Sequence, residues 1–203
     1  MTESDAALAA RCQERCRQAR TILDDLGLLP AWSRFGRPVL VGAVAHGLAL
    51  DPDIDLEIYC PRLDPGDGFV VLGQAAARPG VLEARFRNHL DGPDQALYWQ
   101  IRYRAGDGAV WKLDMWSAAE DYALPRGEQL VEPLRRALTP ETRQAILRLK
   151  AWRAATNTAC LSIDLYRAVL DGGVRVPAEL LDWMAGHETG VLTAWTPGCS
   201  KSL

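Results

Sequence analysis

The sequence predicts an α+β fold, a mixed or mainly antiparallel β-sheet flanked by helices and followed by a helical C-terminal subdomain. Two observations carry that prediction. Alternating apolar and polar runs are confined to the stretch between Arg37 and Ala118, and after Ala118 the apolar residues recur at helical spacing. A chain of 203 residues that is 48% hydrophobic is also long enough to bury a sizeable core. The expected division is residues 1–120 for the sheet with an N-terminal helix, and 121–203 for the helical subdomain.

Each element has its own signal. From about Asp5 to Leu26, the residues Leu8, Cys12, Cys16, Ala19, Ile22, Leu23 and Leu26 form one stripe of a helix that Gly27 and Pro30 should end. "RPVLVGA" reads as a short buried strand, "HGLALDP" as a loop and "DIDLEIYC" as a second strand. The "PRLDPGDG" cluster breaks the chain before "FVVLGQAAARPG", a helix closed by Pro79 and Gly80. "VLEARFRNHL" and "ALYWQIRYRA" alternate as strands, the latter with Leu97, Trp99, Ile101 and Tyr103 on one face, and "AGDG" connects it tightly to "AVWKLDMWSA". Four helical segments follow. Thr139 caps one of them ahead of Pro140, and Gly172-Gly173 ends another. The tail "TPGCSKSL" is expected to be loosely ordered.

A formal net charge of −3 provides no global attraction to nucleic acid or to an anionic membrane, so nucleic acid is not the expected partner. The charged N-terminus lacks the apolar core of a signal peptide and no apolar run is long enough to span a bilayer, so the protein is read as cytoplasmic. Five cysteines in that setting are read as reduced thiols. Cys12 and Cys16 lie at i,i+4, but no second Cys or His pair has complementary spacing, and a zinc site is not expected.

The chemistry concentrates in "VGAVAHGLALDPDIDLEIYC". On an extended strand Asp53, Asp55, Glu57 and Tyr59 share one face, while Ile54, Leu56 and Ile58 share the other and must face the core. The two aspartates then sit roughly 7 Å apart at Cα by strand rise. Like charges so placed repel unless a cation lies between them, and such hard oxygen ligands suit Mg²⁺ or Mn²⁺. In "VWKLDMW", Asp114 alternates with Trp111, Leu113 and Met115, so it completes a three-carboxylate cluster if this strand neighbours the acidic one. Glu57, farther along its strand, is read as a bystander.

Gly42-Ala43, a nine-residue spacer and Asp53-Ile54-Asp55-Leu56 resemble the signature of the DNA polymerase β-like nucleotidyltransferase superfamily. "AHGLALDPDIDLEIY" is similar to the corresponding run of its smaller bacterial members, including antibiotic nucleotidyltransferases, and Asp114 in "KLDMW" matches the third carboxylate. The resemblance implies a catalytic domain over residues 1–120 and transfer of a nucleoside monophosphate from a nucleoside triphosphate to an acceptor hydroxyl, with release of pyrophosphate. Asp53 and Asp55 would ligate both Mg²⁺ ions, and Asp114 would ligate the catalytic one and help to deprotonate the acceptor. "LRLKAW" and "LSIDLYRAVL" resemble helices of poly(A) polymerase and oligoadenylate synthetase relatives, which would bring Lys150 and Ser162 to the triphosphate; helix packing explains both segments about as well. Gly42 and Ala43 would back onto the phosphates. Ala43 departs from the usual Ser or Gly, so the hydroxyl that would hydrogen-bond a phosphate is missing and only backbone N–H groups remain.

Other residues have a plainer reading beside the functional one. His46 lies between Gly42 and the acids and is counted with the nucleotide contacts, although a turn or surface role is the better single explanation. Lys112 should share the Asp114 face and pair with a carboxylate or, as the second choice, with a substrate phosphate. Trp116 shares that face too and is free to stack on a base or sugar. Trp99, Trp111 and Trp152 sit in periodic segments and read as core, and the arginines of "RFRNHL" and "LRRAL" look too scattered for a nucleic-acid stripe. The expected partners are therefore an NTP and a small-molecule hydroxyl acceptor. Transfer to a macromolecule, a tRNA end or a protein side chain, stays open as an alternative, as does a non-catalytic nucleotide-binding module. The apolar C-terminal helices could form a homodimer face or simply a core.

Overall fold

In the computed structural model, which describes residues 3–198, helix α1 (Asp5–Leu26) buries the expected stripe from Leu8 to Leu26. Ser4 caps its first turn, and Gly27 ends it with the left-handed conformation that glycine tolerates. Gly27 does not end helical structure, because a second short helix, α2 (Leu28–Trp32), follows at once. Pro30 is accommodated there, since the first turn of a helix needs no intrahelical N–H. Trp32 is thereby buried with its indole Nε1 3.2 Å from Met115 Sδ in the core.

Strand β1 (Arg37–Val41) leads into a second unexpected helix, the single turn α3 (Gly42–His46), in place of the strand end and loop expected there. Strand β2 (Asp53–Cys60) follows, and then α4 (Pro65–Ala76). The "PRLDPGDG" cluster breaks the chain as far as Asp64 and its second half opens α4, with Asp64 accepting from Gly66 N and Pro65 at the first helical position. Strands β3 (Val81–Asn88), β4 (Leu97–Arg104) and β5 (Val110–Ala119) complete one five-stranded sheet of order β1-β2-β5-β4-β3. β2 and β5 pair in parallel and the other neighbours are antiparallel, so the sheet is mixed. Helices α5 (Glu128–Ala137), α6 (Pro140–Thr156), α7 (Ser162–Leu170) and α8 (Pro177–Ala185) account for the four predicted C-terminal segments.

The two faces of the sheet differ as the alternation requires. Ile54, Leu56, Ile58, Trp99, Ile101, Leu113 and Met115 are fully buried, each aliphatic worth about 1.5–3 kcal/mol of burial. A buried cluster runs from Leu8 on α1 through this face to Leu165 on α7 and Leu180 on α8. Trp99 and Trp111 are core residues as expected, whereas Trp152 is only half-buried. The opposite face carries the acids. Cys12, Cys16, Cys60 and Cys160 are free thiols, and no helix among the described residues is long and apolar enough to cross a membrane. Within the tail that was expected to be loosely ordered, residues 199–203 lie outside the described part.

Candidate active site

The parallel register of β2 and β5 sets Asp53 opposite Lys112 and Asp55 opposite Asp114. Cross-strand partners lie on the same face, so the three aspartates converge: Asp53, Asp55 and Asp114 each offer a carboxylate oxygen within 4.8 Å of the others. Around them the same face is organised in cross-strand rows. One row is Asp55, Asp114, Gln100 and Arg85; the next is Glu57, Trp116, Tyr98 and Arg87.

Several contacts hold the acids in place. Asp114 Oδ1 accepts from the Tyr98 hydroxyl at 2.7 Å and from Gln100 Nε2 at 3.0 Å, and Lys112 Nζ donates to its Oδ2 at 2.7 Å. Lys112 Nζ also lies 3.4 Å from Asp53 Oδ1, a buried oxygen that has no hydrogen-bond partner. Asp55 Oδ2 rests against Gly42: a Cβ there would meet it at 2.1 Å, and Gly42 holds φ at +66°. No other residue type could occupy that position without moving the carboxylate or the turn.

The electrostatics follow from this crowding. Burial first, and then the charges of Asp53 and Asp114, push the Asp55 pKa up to about 7. Asp53 is raised as well, again mainly by burial. Burial works against the Lys112 ammonium, but the hydrogen bond to Asp114 and the two carboxylate charges outweigh it and its pKa is raised. Tyr98 is pushed up to about 12 by burial and by its bond to Asp114. Three carboxylates facing a single ammonium, an orphaned buried oxygen and a glycine-shaped cradle make a donor set that fits a hard divalent cation.

On one side of the acids lies a cavity of about 290 Å³ lined by Gly42, Ala43, His46, Lys150 and Ser162, so the residues singled out from the sequence are brought together. His46 is not a surface residue. It is buried at the end of α3 with its ring edge-on to Tyr166 at 5.6 Å, and burial, followed by the charges of Lys150 and Arg135, lowers its pKa to about 4. Lys150 is buried too. Its Nζ donates to Leu48 O at 2.9 Å, stitching α6 to the loop between α3 and β2, and burial lowers its pKa. Ser162 opens α7, with Arg153 Nη1 3.4 Å from its hydroxyl.

The sequence reading missed Arg153, Tyr166, Arg126 and Trp195, which line the same cavity. Helical spacing could have found two of them, since Arg153 is three residues after Lys150 on α6 and Tyr166 four after Ser162 on α7. Arg126 and Trp195 lie outside the regular elements and carried no such signal. Glu57 is not a bystander either: it lines the cavity and accepts from Gly127 N at 2.7 Å, Glu128 N at 3.0 Å and the Tyr59 hydroxyl at 2.6 Å, so it caps α5.

On the other side of the acids lies an open groove of about 280 Å³ lined by Arg85, Arg87, His89, Tyr98, Gln100, Asp114 and Trp116. The arginines of "RFRNHL", which look scattered in sequence, alternate on β3 and so point together onto the site face. Arg85 is ion-paired with Glu83. Trp116 packs against Tyr98 at 4.7 Å and His89 at 5.7 Å between ring centroids, forming an aromatic floor beside Asp114.

No protein-family model and no curated protein matches the sequence. Solved structures do match. Cid1 in complex with the UTP analogue UMPNPP is 18% identical with a TM-score of 0.57, over 77% of this chain and 48% of that one. Cid1 in complex with its short product ApU is 17% identical with a TM-score of 0.56, over 82% and 54%. A mutant of Cid1 poly(U) polymerase bound to MgATP is 17% identical with a TM-score of 0.60, over 81% and 52%. The chain spans about half the length of these structures. At such identity the likeness is one of architecture: the chain shares its fold, a mixed sheet flanked by helices, with the Cid1 structures.

Proposed function

We propose that the protein transfers a nucleoside monophosphate from an NTP to the terminal hydroxyl of a nucleic-acid strand. One observation carries this reading: the three-aspartate cluster lies between a cavity with Arg126, Lys150 and Arg153 in its wall and a more open groove with Arg85, Arg87 and an aromatic floor. The cavity suits a triphosphate, whose charge the lysine and arginines oppose. The groove suits a polyanion with π-faces, because arginines meet phosphates and aromatic rings meet bases. Cid1 structures with a UTP analogue and with the product ApU support the pairing of these two ligand classes on this fold.

In this reading Asp53, Asp55 and Asp114 hold Mg²⁺ or Mn²⁺, which when bound neutralises phosphoryl charge and acidifies the acceptor hydroxyl. Asp114, fixed through Oδ1 by Tyr98 and Gln100, accepts the hydroxyl proton. The acceptor oxygen forms its bond to the α-phosphorus as the bond to the β-phosphate bridge oxygen breaks, and pyrophosphate leaves toward Lys150 and Arg153. Residues 1–120 supply the acids, the acceptor groove and the Gly42–His46 wall of the donor cavity; residues after 121 supply its cationic wall.

The small-molecule acceptor expected from sequence rested on the low net charge and on the resemblance to antibiotic nucleotidyltransferases. Net charge does not govern a local groove, and the clustering of Arg85, Arg87, His89, Tyr98 and Trp116 favours the macromolecular acceptor. The test is to incubate the protein with each labelled NTP and Mg²⁺ over RNA and DNA oligonucleotides with free 3′ hydroxyls and over a panel of small hydroxyl compounds. Extension of an oligonucleotide that is lost in Asp53→Asn/Asp55→Asn is the expected result. Labelling of small compounds alone would overturn the acceptor assignment. NTP-dependent stabilisation without turnover under any condition would instead make the protein a binding module.

A further inference from the structure

The acids have an unusual neighbour, because the residue directly across the sheet from Asp53 is a lysine and its ammonium points into the cluster. Lys112 Nζ reaches Asp114 Oδ2 at 2.7 Å and Asp53 Oδ1 at 3.4 Å, so it spans the first and third acids as a bridging cation would. The other oxygen of Asp114 already accepts from Tyr98 and Gln100. A divalent ion ligated by Asp114 therefore competes with the ammonium for Oδ2, and it meets the same ammonium 3.4 Å from Asp53 Oδ1. The lysine has somewhere to go: its side chain is 46% exposed, and its flexible four-carbon stem stands on the open side of the sheet.

We propose that Lys112 is a tethered competitor for the cation site, a resident monovalent charge that a divalent ion displaces when it takes the oxygens of Asp53 and Asp114. Its service is to hold the carboxylates together before a metal arrives, since three acids within 4.8 Å would otherwise repel one another. Its cost is weaker binding of free metal. The cluster then takes up its divalent ion most readily together with a triphosphate, whose oxygens replace the ligands that the lysine contests. The released ammonium is left in the row of Asp53, Arg102 and Glu83, next to the row that carries Asp114 and Arg85, where a phosphate can accept from it.

This inference rests on reading the three aspartates as cation ligands, and the experiment separates the two. Mn²⁺ binding to the nucleotide-free protein is followed by the electron paramagnetic resonance of the free ion, in wild type, Lys112→Met, Lys112→Arg and Asp53→Asn/Asp55→Asn. Lys112→Met should bind Mn²⁺ about tenfold more tightly or better, since it removes a positive charge about 3 Å from the ligand oxygens while keeping the length of the stem. Lys112→Arg keeps the charge and should not tighten binding. Thermal unfolding is the second readout: Lys112→Met should be less stable than wild type in EDTA and recover with Mn²⁺, whereas a purely structural lysine would leave the deficit unchanged by metal. Equal or weaker Mn²⁺ affinity in Lys112→Met would overturn the role of the lysine alone. If neither wild type nor Lys112→Met binds Mn²⁺, the metal reading fails and this one falls with it.

Discussion

Replacing Gly42 by alanine separates two costs that coincide at one residue. The backbone there holds φ at +66°, which an L-residue adopts at a cost of about 1–2 kcal/mol. The new methyl would also lie 2.1 Å from Asp55 Oδ2, so either the carboxylate or the α3 turn must shift, as in core overpacking at about 1–3 kcal/mol more. Gly27 provides the control, because it has φ at +61° with nothing within 4 Å of its would-be Cβ. In urea unfolding, Gly27→Ala should lose only the conformational part, while Gly42→Ala should lose roughly 2–5 kcal/mol in all. The excess belongs to the clash with Asp55, so it should largely vanish when both proteins carry Asp55→Ala. Mn²⁺ affinity should fall in Gly42→Ala and not in Gly27→Ala. Equal losses for the two glycine variants, or an excess that survives Asp55→Ala, would refute the argument that this glycine exists to seat the acid.

The pH dependence of stability without metal carries a second prediction. The folded-state pKa of Asp55 is raised from 3.8 to about 7, so its contribution is fully present below pH 3.8 and is lost as pH rises toward 7. His46, lowered from 6.5 to about 4, has the opposite sense: its contribution is present above pH 6.5 and is lost as pH falls through 4. Subtracting Asp55→Asn from wild type cancels the histidine, and in EDTA the wild type should lose up to about 4 kcal/mol relative to the variant between pH 4 and 8; a flat difference curve refutes the burial argument. Arg85→Ala and Arg87→Ala should raise the KM for an oligonucleotide acceptor, with the KM for NTP unchanged, and each should flatten the salt dependence by about one unit of slope if its guanidinium neutralises one phosphate; a rise in the NTP KM instead would put these arginines on the donor side. Trp99→Ala should cost about 3–5 kcal/mol in urea unfolding, because Trp99 is fully buried, stacks on Phe86 at 4.3 Å and donates to Ser117 Oγ at 3.1 Å; a loss under 1 kcal/mol would mean that the cluster repacks.

What could be read from the sequence depended on the range of the signal. The stripe of α1, the alternation of β2, β4 and β5 and the cap at Thr139 are local patterns, and each appears where its residues place it. Asp53, Asp55 and Asp114 were found because alternation assigns them a face and the resemblance supplies a reason for them to meet. Their meeting itself was not legible, since it needs β5 to insert beside β2 in parallel across two intervening strands. Helices α2 and α3 escaped for a different reason: each is 5 residues long, and glycine or proline at its start reads as a break when seen without the packing that sustains it. The groove was misjudged because arginines two apart in one strand look sparse on paper, and only register brings Arg85 into the row of Asp114 and Arg87 into the row of Trp116.

Those cross-strand rows also give the sheet face a direction. Along two of them the charge runs from carboxylates on β2 to guanidinium groups on the edge strand β3, with neutral or aromatic side chains on β4 between. Those two rows are thus polarised across four strands, whereas the row of Asp53, Lys112, Arg102 and Glu83 ends in a carboxylate at both sides. If the acceptor is a polynucleotide, as proposed, it would not be indifferent to orientation: its phosphates would be drawn toward β3, and the one end that could approach the metal-free acids without repulsion would be the end that carries a hydroxyl and no phosphate. Turned around, the same molecule would press a 5′ phosphate against Asp114 and Asp55. The polarity of chain growth would then be written into the order of the strands, before any base is recognised.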